Sequence, residues 1–460
     1  MKNLKKLIFA AGLMIVAVSM FLTSCTKEGP QGPTGPAGKD GTDGKDASET
    51  CKLCHAKAVV DAIAVEFQMS KHNWGAAAFE EAGNASCGPC HEQKAFVYVC
   101  ENNTPSTFAF ANGKWTNQYA SNAANAIGAI SCYTCHSSLH TTYGTADLAL
   151  TTTAPVVMTM WGGAESWGGT VQTIDLPADG GQSNLCVKCH QPRPLTATSA
   201  YDPAVRPINY DSLKNFPSAI FYDTTAGYKN VNIRPSYRMH IHYGAVGAVV
   251  AGKGGIEYTG TYTVSSSVHT TVASCQDCHM AQPMNGVAGG HAFNMRNGIE
   301  TALGSSTSWN FAGCNVEGCH STLPMDANSA EFKNARTEIK TLLDELALKI
   351  NAAGAGTDIL HKETDPASNL WAGVTTKNYD GYMDIYDASA NPNGYWRNPA
   401  GPNTEPNISK PKFPKLLNVQ MGAIINFQFC LREYSLGIHN TQYVKALLKN
   451  STDALTAAGL

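Results

Sequence analysis

The sequence has little net charge and lacks any run of like charges. It contains 33 lysine and arginine residues against 36 aspartate and glutamate residues, which gives a formal net charge of −3. Proteins that bind nucleic acid, or that dock on anionic membranes through a basic face, carry clustered positive charge. The composition therefore indicates no nucleic-acid partner and no basic membrane-binding face. After residue 22 the sequence also lacks an apolar run that could span a bilayer, which takes about 20 residues.

The N-terminus has the layout of a secretory leader. Lys2, Lys5 and Lys6 precede an apolar run over residues 7–22, and the run ends in Leu-Thr-Ser-Cys. This ending resembles the cleavage site of bacterial lipoproteins, where the new N-terminal cysteine becomes diacylated. We expect residues 1–24 to be a signal peptide and Cys25 to be a lipid anchor. The body would then lie outside the cytoplasm, at the outer membrane, on its periplasmic face or on the cell surface. An uncleaved anchor helix is the alternative.

Residues 25–48 form a spacer after the anchor. Glycine recurs at every third position from 29 to 44, and prolines fill some of the other places, which is a collagen-like composition. Six triplets are few for a stable triple helix, so we expect an extended, solvated chain that reaches roughly 55 Å at about 3.1 Å per residue. Trimerisation through this stretch is the alternative, and it makes a homo-oligomer a second expectation.

The body of the sequence repeats one cysteine–histidine motif. Five copies read CxxCH and a sixth reads CxxxxCH, whereas composition alone predicts about 0.015 copies of CxxCH by chance. The copies are Cys51/Cys54/His55, Cys87/Cys90/His91, Cys132/Cys135/His136, Cys186/Cys189/His190, Cys275/Cys278/His279 and Cys314/Cys319/His320. In this motif the two thiols add to the vinyl groups of one porphyrin, and the histidine ligates its iron. We predict six covalently attached haem c groups; zinc sites and disulfides are the alternatives.

The haem motifs and the loop-forming composition predict a mainly α fold with extensive irregular loops and minor β structure, organised by six covalent haems. The sequence has 42 glycines and 22 prolines, which favour long loops. We expect one haem domain over residues 49–460, with small β-ribbons between the third and fifth motifs. A polar insertion is expected at about 354–414 and a helical segment at about 415–457. Because porphyrin would fill much of the interior, we expect the haem-free chain to be unfolded. One amphipathic helix is predicted from the spacing of its apolar residues Phe332, Ile339, Leu342, Leu343, Leu346 and Ile350.

Four stretches around the motifs resemble the multihaem cytochrome c superfamily, which includes cytochromes of the c554 type, pentahaem nitrite reductases and octahaem hydroxylamine oxidoreductases. They are MSKHNW, HYGAVGAVVAGKGG, the HTT…CxxCHM…GGHAF unit and SLGIHNTQYVKALL. In that family, histidines of this kind outside the motifs are distal haem ligands. The resemblance implies this role for His72, His242, His269, His291 and His439, and His140 is added because it closely follows a motif. His240 is an alternate to His242, and His361 is interpreted as structural.

The histidine count allows every haem to have two imidazole ligands. With both axial positions occupied, iron can change oxidation state but has no open position for substrate. The sequence also lacks the CxxCK site usual in the family's nitrite reductases. We therefore expect an electron carrier rather than an enzyme, working between redox partner proteins such as other cytochromes or a quinol-linked donor. The alternatives are a reductase or oxidase of small nitrogen or sulfur compounds with one open haem, and a cytochrome that forms filaments or a trimeric stalk.

Two cysteines, Cys100 and Cys430, have neither a haem nor a lipid role in this interpretation. In an oxidising compartment they could pair as a disulfide, or each could be a buried apolar side chain.

Overall fold

The computed structural model describes the chain from residue 56 onward, with gaps. The described residues are 56–74, 87–101, 109–111, 114–116, 129–158, 172–192, 208–223, 225, 239–297, 308–354, 356–365, 371, 373–385 and 412–460. All of them belong to one compact unit, Glu49–Leu460. The leader, Cys25, the spacer and the first haem motif (Cys51, Cys54 and His55) lie outside the described residues, as does most of the predicted insertion.

Helix is the main secondary structure of the described residues. The helices are α1 (Lys57–Gln68), α2 (Lys71–Trp74), α3 (Gly88–His91), α4 (Gln93–Glu101), α5 (Cys132–Cys135), α6 (Ser183–Cys189), α7 (Tyr210–Asn215), α8 (Val246–Val250), α9 (His269–Val272), α10 (Cys275–His279), α11 (Ala330–Ala352), α12 (Asn418–Leu431) and α13 (Thr441–Ala457). Most are short, because the haem motifs and turns interrupt them. In the described part of the chain, no helix combines the length and the apolar character that crossing a membrane requires.

The strands form two-stranded antiparallel ribbons. They are β1 (Ala109–Ala111), β2 (Lys114–Thr116), β3 (Val156–Val157), β4 (Thr173–Ile174), β5 (Ile220–Asp223), β6 (Arg296–Asn297), β7 (Ser308–Trp309), β8 (Leu360–Lys362), β9 (Tyr379–Met383) and β10 (Lys415–Leu417). Strands β1–β2, β3–β4, β6–β7 and β8–β9 pair in sequence order, whereas β5 pairs with β10 from the far end of the chain. The β3–β4 ribbon lies between the third and fourth motifs, within the region where ribbons were predicted.

The main polypeptide core lies among the three long C-terminal helices. Helix α11 buries Ile339, Leu343 and Leu346 against α12 and α13, so its predicted amphipathic face is confirmed. Helix α12 is buried along its whole length. The expectation that porphyrin fills much of the interior therefore does not hold for this C-terminal part, which has an apolar core of its own. Instead of one continuous C-terminal helix, α12 and α13 are separated by a turn at residues 432–440.

Polar side chains of α12 hold the loop before the fifth motif against the core. Asn426 accepts a hydrogen bond from the Ile256 amide at 2.7 Å and donates one to the Ile256 carbonyl at 2.7 Å. Two residues further along, the side-chain oxygen Oε1 of Gln428 accepts a hydrogen bond from the Ile241 amide at 3.0 Å. Buried polar groups need such partners. These bonds fix the backbone on either side of His242.

Candidate haem-ligand site

Each described CxxCH motif has its two cysteines at the spacing of one helical turn. In α5 the cysteines are Cys132 and Cys135, and positions i and i+3 of a helix lie on the same face. Helix α10 begins with a capping box, in which the Ser274 hydroxyl accepts from the Asp277 amide at 3.1 Å. The cysteine pairs of α5 and α10 are therefore held on one side of a short, capped helix.

The longer sixth motif closes in the same way as the others. In four of the described motifs the amide of the motif histidine donates to the carbonyl of the first cysteine, at 3.0 Å for His91 and also at 3.0 Å for His320. The two additional residues of the sixth motif are accommodated in a bulge, where Gly318 has φ +82°, a conformation that glycine adopts readily. The bulged geometry lets the CxxxxCH motif place its histidine as the CxxCH motifs do.

The structure places motif histidines next to histidines from outside the motifs. Within the described residues, four pairs of imidazole rings have centroids 6.1–6.5 Å apart. The pairs are His72–His190 at 6.1 Å, His91–His242 at 6.2 Å, His279–His439 at 6.2 Å and His269–His320 at 6.5 Å. Every one of these pairs joins a predicted proximal ligand to a predicted distal ligand.

The separation matches two imidazoles on opposite sides of one metal ion. An imidazole nitrogen ligates a metal at about 2.0 Å, and the ring centre lies about 1.2 Å behind that nitrogen, so two trans ligands place their centres about 6.4 Å apart. Ordinary aromatic pairs cover the same range. The pattern of partners separates the two explanations, because aromatic packing alone would not couple motif histidines only with non-motif histidines.

Burial keeps three of the paired imidazoles neutral. Burial, helped by the nearby His190, lowers the pKa of His72 to about 4. The pKa values of His190 and His279 are also lowered to about 4, again chiefly by burial. A histidine must be deprotonated to ligate a metal. At neutral pH these three side chains are therefore in the form that binds iron.

Two further predicted ligands are placed less completely. The pKa of His291 is lowered by burial, Glu66 opposes this shift, and the charge of His136 adds to it, which puts His136 and His291 in the same neighbourhood. His140 lies against Tyr143, with ring centroids 6.1 Å apart, and faces the Tyr133 hydroxyl at 3.5 Å. His55, the remaining proximal candidate, lies outside the described residues.

His240 is directed away from the position that His242 occupies. Its Nδ1 lies 2.7 Å from a terminal nitrogen of Arg432, and its ring packs on Tyr382 with centroids 4.7 Å apart. Arg432 is fully buried, and in the described part of the chain its Nε has no hydrogen-bond partner. A buried guanidinium needs an anion. The carboxylate groups of a haem would suit it.

Cysteines of different motifs touch one another. Cys186 shares a hydrogen bond with Cys275, and Cys189 shares one with Cys90. The Cys90 thiol also approaches the Lys188 carbonyl at 3.8 Å. The motif at 186–190 therefore lies between the motif at 87–91 and the motif at 275–279. The thiol of Cys278 is in turn close enough to Cys314 and Cys319 for their charges to help raise its pKa to about 12, although burial contributes more.

No family model, curated protein or solved structure matches this chain. The likeness to multihaem cytochromes therefore depends on the motifs and their flanks alone.

The motifs that the structure describes are not arranged as zinc sites or as disulfides. Among the described residues, the one cluster with three possible ligand atoms within 4.8 Å of one another is His361, Glu363 and Asp380, and it contains no motif residue. There, Nδ1 of His361 lies 2.8 Å from the Asp380 carboxylate, which fits the structural role predicted for this histidine. The described motif cysteines all carry free thiols.

Of the two alternatives for Cys100 and Cys430, the disulfide is not formed, because both thiols are free. Cys430 is fully buried within α12, and burial raises the pKa of its thiol. Cys100 ends up near Cys90, Cys135 and Lys188 instead, where burial raises its pKa to about 11. Cys430 is a small buried side chain, the second alternative given for the two cysteines, whereas Cys100 is only partly buried.

Sequence reasoning missed the residues that hold the distal histidines. The Asn440 side chain caps α13 and accepts from the Ser267 amide at 2.8 Å, which joins the loops that carry His439 and His269. Gln428 fixes the backbone before His242. The available signal was the presence of amides and charges within the otherwise apolar segment NFQFCLRE, since buried polar residues of that kind usually serve a specific contact.

Replacing Gly247 by alanine should destabilise the protein by about 1–3 kcal/mol. A Cβ at this position would lie 2.8 Å from the His190 carbonyl and 2.8 Å from a Val187 methyl, so α8 could no longer pack on the fourth motif. Urea unfolding of the haem-loaded protein measures the effect. Gly144→Ala is the control, because its nearest neighbour would be 3.6 Å away; an equal loss in both variants would contradict the explanation.

Proposed function

We propose that the protein is a lipid-anchored, extracytoplasmic hexahaem cytochrome c that transfers electrons and does not transform a small substrate. The observation that supports this best is the set of four histidine pairs, each of which joins a motif histidine to a non-motif histidine at 6.1–6.5 Å. Iron held from both sides in this way changes oxidation state with little rearrangement of its ligands. Haem supplies the one-electron chemistry, while the chain positions it and excludes other ligands.

The contacts between motifs support a continuous route for electrons. Each motif cysteine would bond to the edge of its own porphyrin, so thiols that touch across motifs would bring two porphyrin edges together. Such contacts join Cys90 to Cys189 and Cys186 to Cys275. Cys278 extends this series to Cys314 and Cys319. The proposed order of haems therefore follows the motifs at 87–91, 186–190, 275–279 and 314–320. The third motif lies near the same group, because the charge of its Cys135 helps raise the pKa of both Cys186 and Cys189.

Exposed apolar side chains beside the ligands also support a large apolar cofactor. Val268 and Val272, which flank His269, are 69% and 57% exposed. Val59 and Val60 of α1 are exposed as well, although the sequence places them on an apolar helix face. Soluble proteins rarely leave clustered apolar groups uncovered without a function for them. Porphyrins packed beside these residues would cover them.

The electron donor and acceptor are proposed from the predicted cellular location and from the redox chemistry of haem. A lipidated Cys25 and an extended spacer would let the haem body move between a membrane donor, such as a quinol-linked protein, and another cytochrome. The reductase alternative now concerns the irons ligated by His55 and His136, since the other four proximal histidines have a ring opposite them.

The purified full-length protein should contain six haems per chain and show only low-spin ferric signals. Haem is counted by the pyridine haemochrome method, and spin state is measured by electron paramagnetic resonance of the oxidised protein. The physical reason is that two imidazoles per iron leave no weak-field position. Added cyanide should leave the spectrum unchanged. A high-spin signal from one haem, or binding of one cyanide, would favour the reductase alternative, and far fewer haems would overturn both interpretations.

A further inference from the structure

A buried carboxylate lies directly behind one of the distal ligands. Glu433 is completely buried, and its Oε2 lies 2.6 Å from Nδ1 of His439. The partner of His439 in its histidine pair is His279, and the centroids of the two rings are 6.2 Å apart. Because Nδ1 of His439 is engaged by Glu433, Nε2 is the ring nitrogen left to bind a metal.

The turn between α12 and α13 is built around this carboxylate. The Ser435 hydroxyl donates to Glu433 at 2.6 Å, and the Gly437 amide donates to its other oxygen at 2.7 Å. To form this loop, Tyr434 and Leu436 adopt φ values of +67° and +56°. Left-handed backbone at residues other than glycine is unfavourable and persists where surrounding structure requires it. The turn thus directs three donors, including His439, at one buried carboxylate.

Three donors around one buried carboxylate suit its charged form, because hydrogen bonds to a carboxylate favour the ionised state. Within the protein interior such a charge acts strongly on its neighbours, because the effective dielectric is low.

Other ligand histidines have neutral partners at the same nitrogen. Nδ1 of His279 lies 2.8 Å from the Phe293 carbonyl, and Nδ1 of His136 lies 3.0 Å from the Leu148 carbonyl. Glu66 is the nearest comparable acid, but its carboxylate is 3.9 Å from Nδ1 of His291, beyond hydrogen-bonding distance. A charged acceptor makes a stronger hydrogen bond than a carbonyl.

We propose that Glu433 is a positioning residue that lowers the reduction potential of the haem held between His279 and His439. The inference rests on the proposed function. A hydrogen bond from the ligand's Nδ1–H to a carboxylate makes the imidazole a stronger electron donor and fixes its orientation. The negative charge also favours ferric over ferrous haem, and hydrogen bonding near the iron is one of the levers by which a protein sets haem potential.

The test is a spectroelectrochemical titration of the Glu433→Gln protein. Glutamine keeps the shape and can still accept from Nδ1–H, but it removes the charge. We expect one haem of the six to shift its oxidised-to-reduced equilibrium at least tenfold toward the reduced form, which is about 59 mV for one electron. The low-spin ferric signal of the same haem should also change in electron paramagnetic resonance.

Two further variants make the outcome decisive. Asp384→Asn is the control: it also removes one carboxylate charge, but Asp384 pairs with Lys412 and not with a ligand histidine, so the titration should stay unchanged. Ser435→Ala removes a hydrogen-bond donor from Glu433, so the carboxylate should accept a stronger hydrogen bond from His439. The reduction potential of the same haem should then shift in the opposite direction. If Glu433→Gln fails to retain six haems, Ser435→Ala alone decides. With all six haems present, an unchanged titration in the Glu433 and Ser435 variants, or equal shifts in the Glu433 and Asp384 variants, overturns the inference but not the proposed function. Wild-type protein without covalent haem overturns both.

Discussion

Protein made without haem attachment should keep its C-terminal helices folded and lose structure around the motifs. Helices α11, α12 and α13 bury one another, with Leu343, Leu346 and Phe427 completely excluded from solvent. At about 25 cal/mol per Å² of apolar surface, a core of this kind is stabilised without a cofactor. Helix α1 and the motif segment at 129–136, by contrast, have few buried apolar side chains. Their folded state would depend on porphyrin.

This prediction is tested on the chain with all twelve motif cysteines replaced by serine. Far-ultraviolet circular dichroism should retain a substantial helical signal. Hydrogen exchange followed by mass spectrometry should show protection in 330–352, 418–431 and 441–457, with rapid exchange in 57–68 and 129–136. The haem-loaded wild type is the reference and should protect all of these segments. Complete loss of helix would mean that the porphyrins are needed even for the C-terminal core; protection throughout would mean that the haems are not needed for folding.

Sequence predicted the elements whose signal is local. The amphipathic spacing of α11 is one such signal, since Ile339, Leu343 and Leu346 lie on one face of a single helix. The helical turn of each motif is another, because it is fixed by three or four consecutive residues. Helix α12 has no such periodicity, because it is buried on all sides, and its apolar sequence alone does not specify which elements surround it.

The pairing of the histidines could not be predicted in this way. His279 pairs with His439 and His72 with His190, and both pairs join segments that lie far apart in the chain. The contacts that create them are equally distant in sequence, such as the bond from the Ser267 amide to Asn440. Sequence identified the candidate ligands by their flanking residues, whereas their partners depend on how α12 and α13 pack.

The choice between His240 and His242 shows the same limit. The two residues are separated only by Ile241, and the sequence gives either of them equal access to a haem. Gln428 fixes the Ile241 amide at 3.0 Å, and Arg432 donates to the Ile241 carbonyl. With the backbone held at both atoms, the neighbouring side chains point in different directions. His242 then faces His91, and His240 packs on Tyr382.

Replacing His242 by alanine should open one iron of the six to exogenous ligands. The imidazole of His242 is the group across from His91, with ring centroids 6.2 Å apart, so its removal would leave a cavity on the distal side. We expect one high-spin ferric signal in electron paramagnetic resonance and binding of about one cyanide per chain, compared with none in the wild type. The potential of that haem should also rise, because one nitrogen donor is lost.

His240→Ala is the matched control, since it deletes the same side chain two residues away. His240 contacts Arg432 at 2.7 Å rather than a motif histidine, so its removal should leave all haems low-spin and cyanide without effect. The opposite result, with an open haem in the His240 variant and none in the His242 variant, would exchange their roles. An open haem in neither variant would mean that His91 does not face a histidine at all, and the carrier proposal would lose one of its four supporting pairs. The two variants together therefore test both the choice of ligand and the coordination that the proposed electron transfer requires.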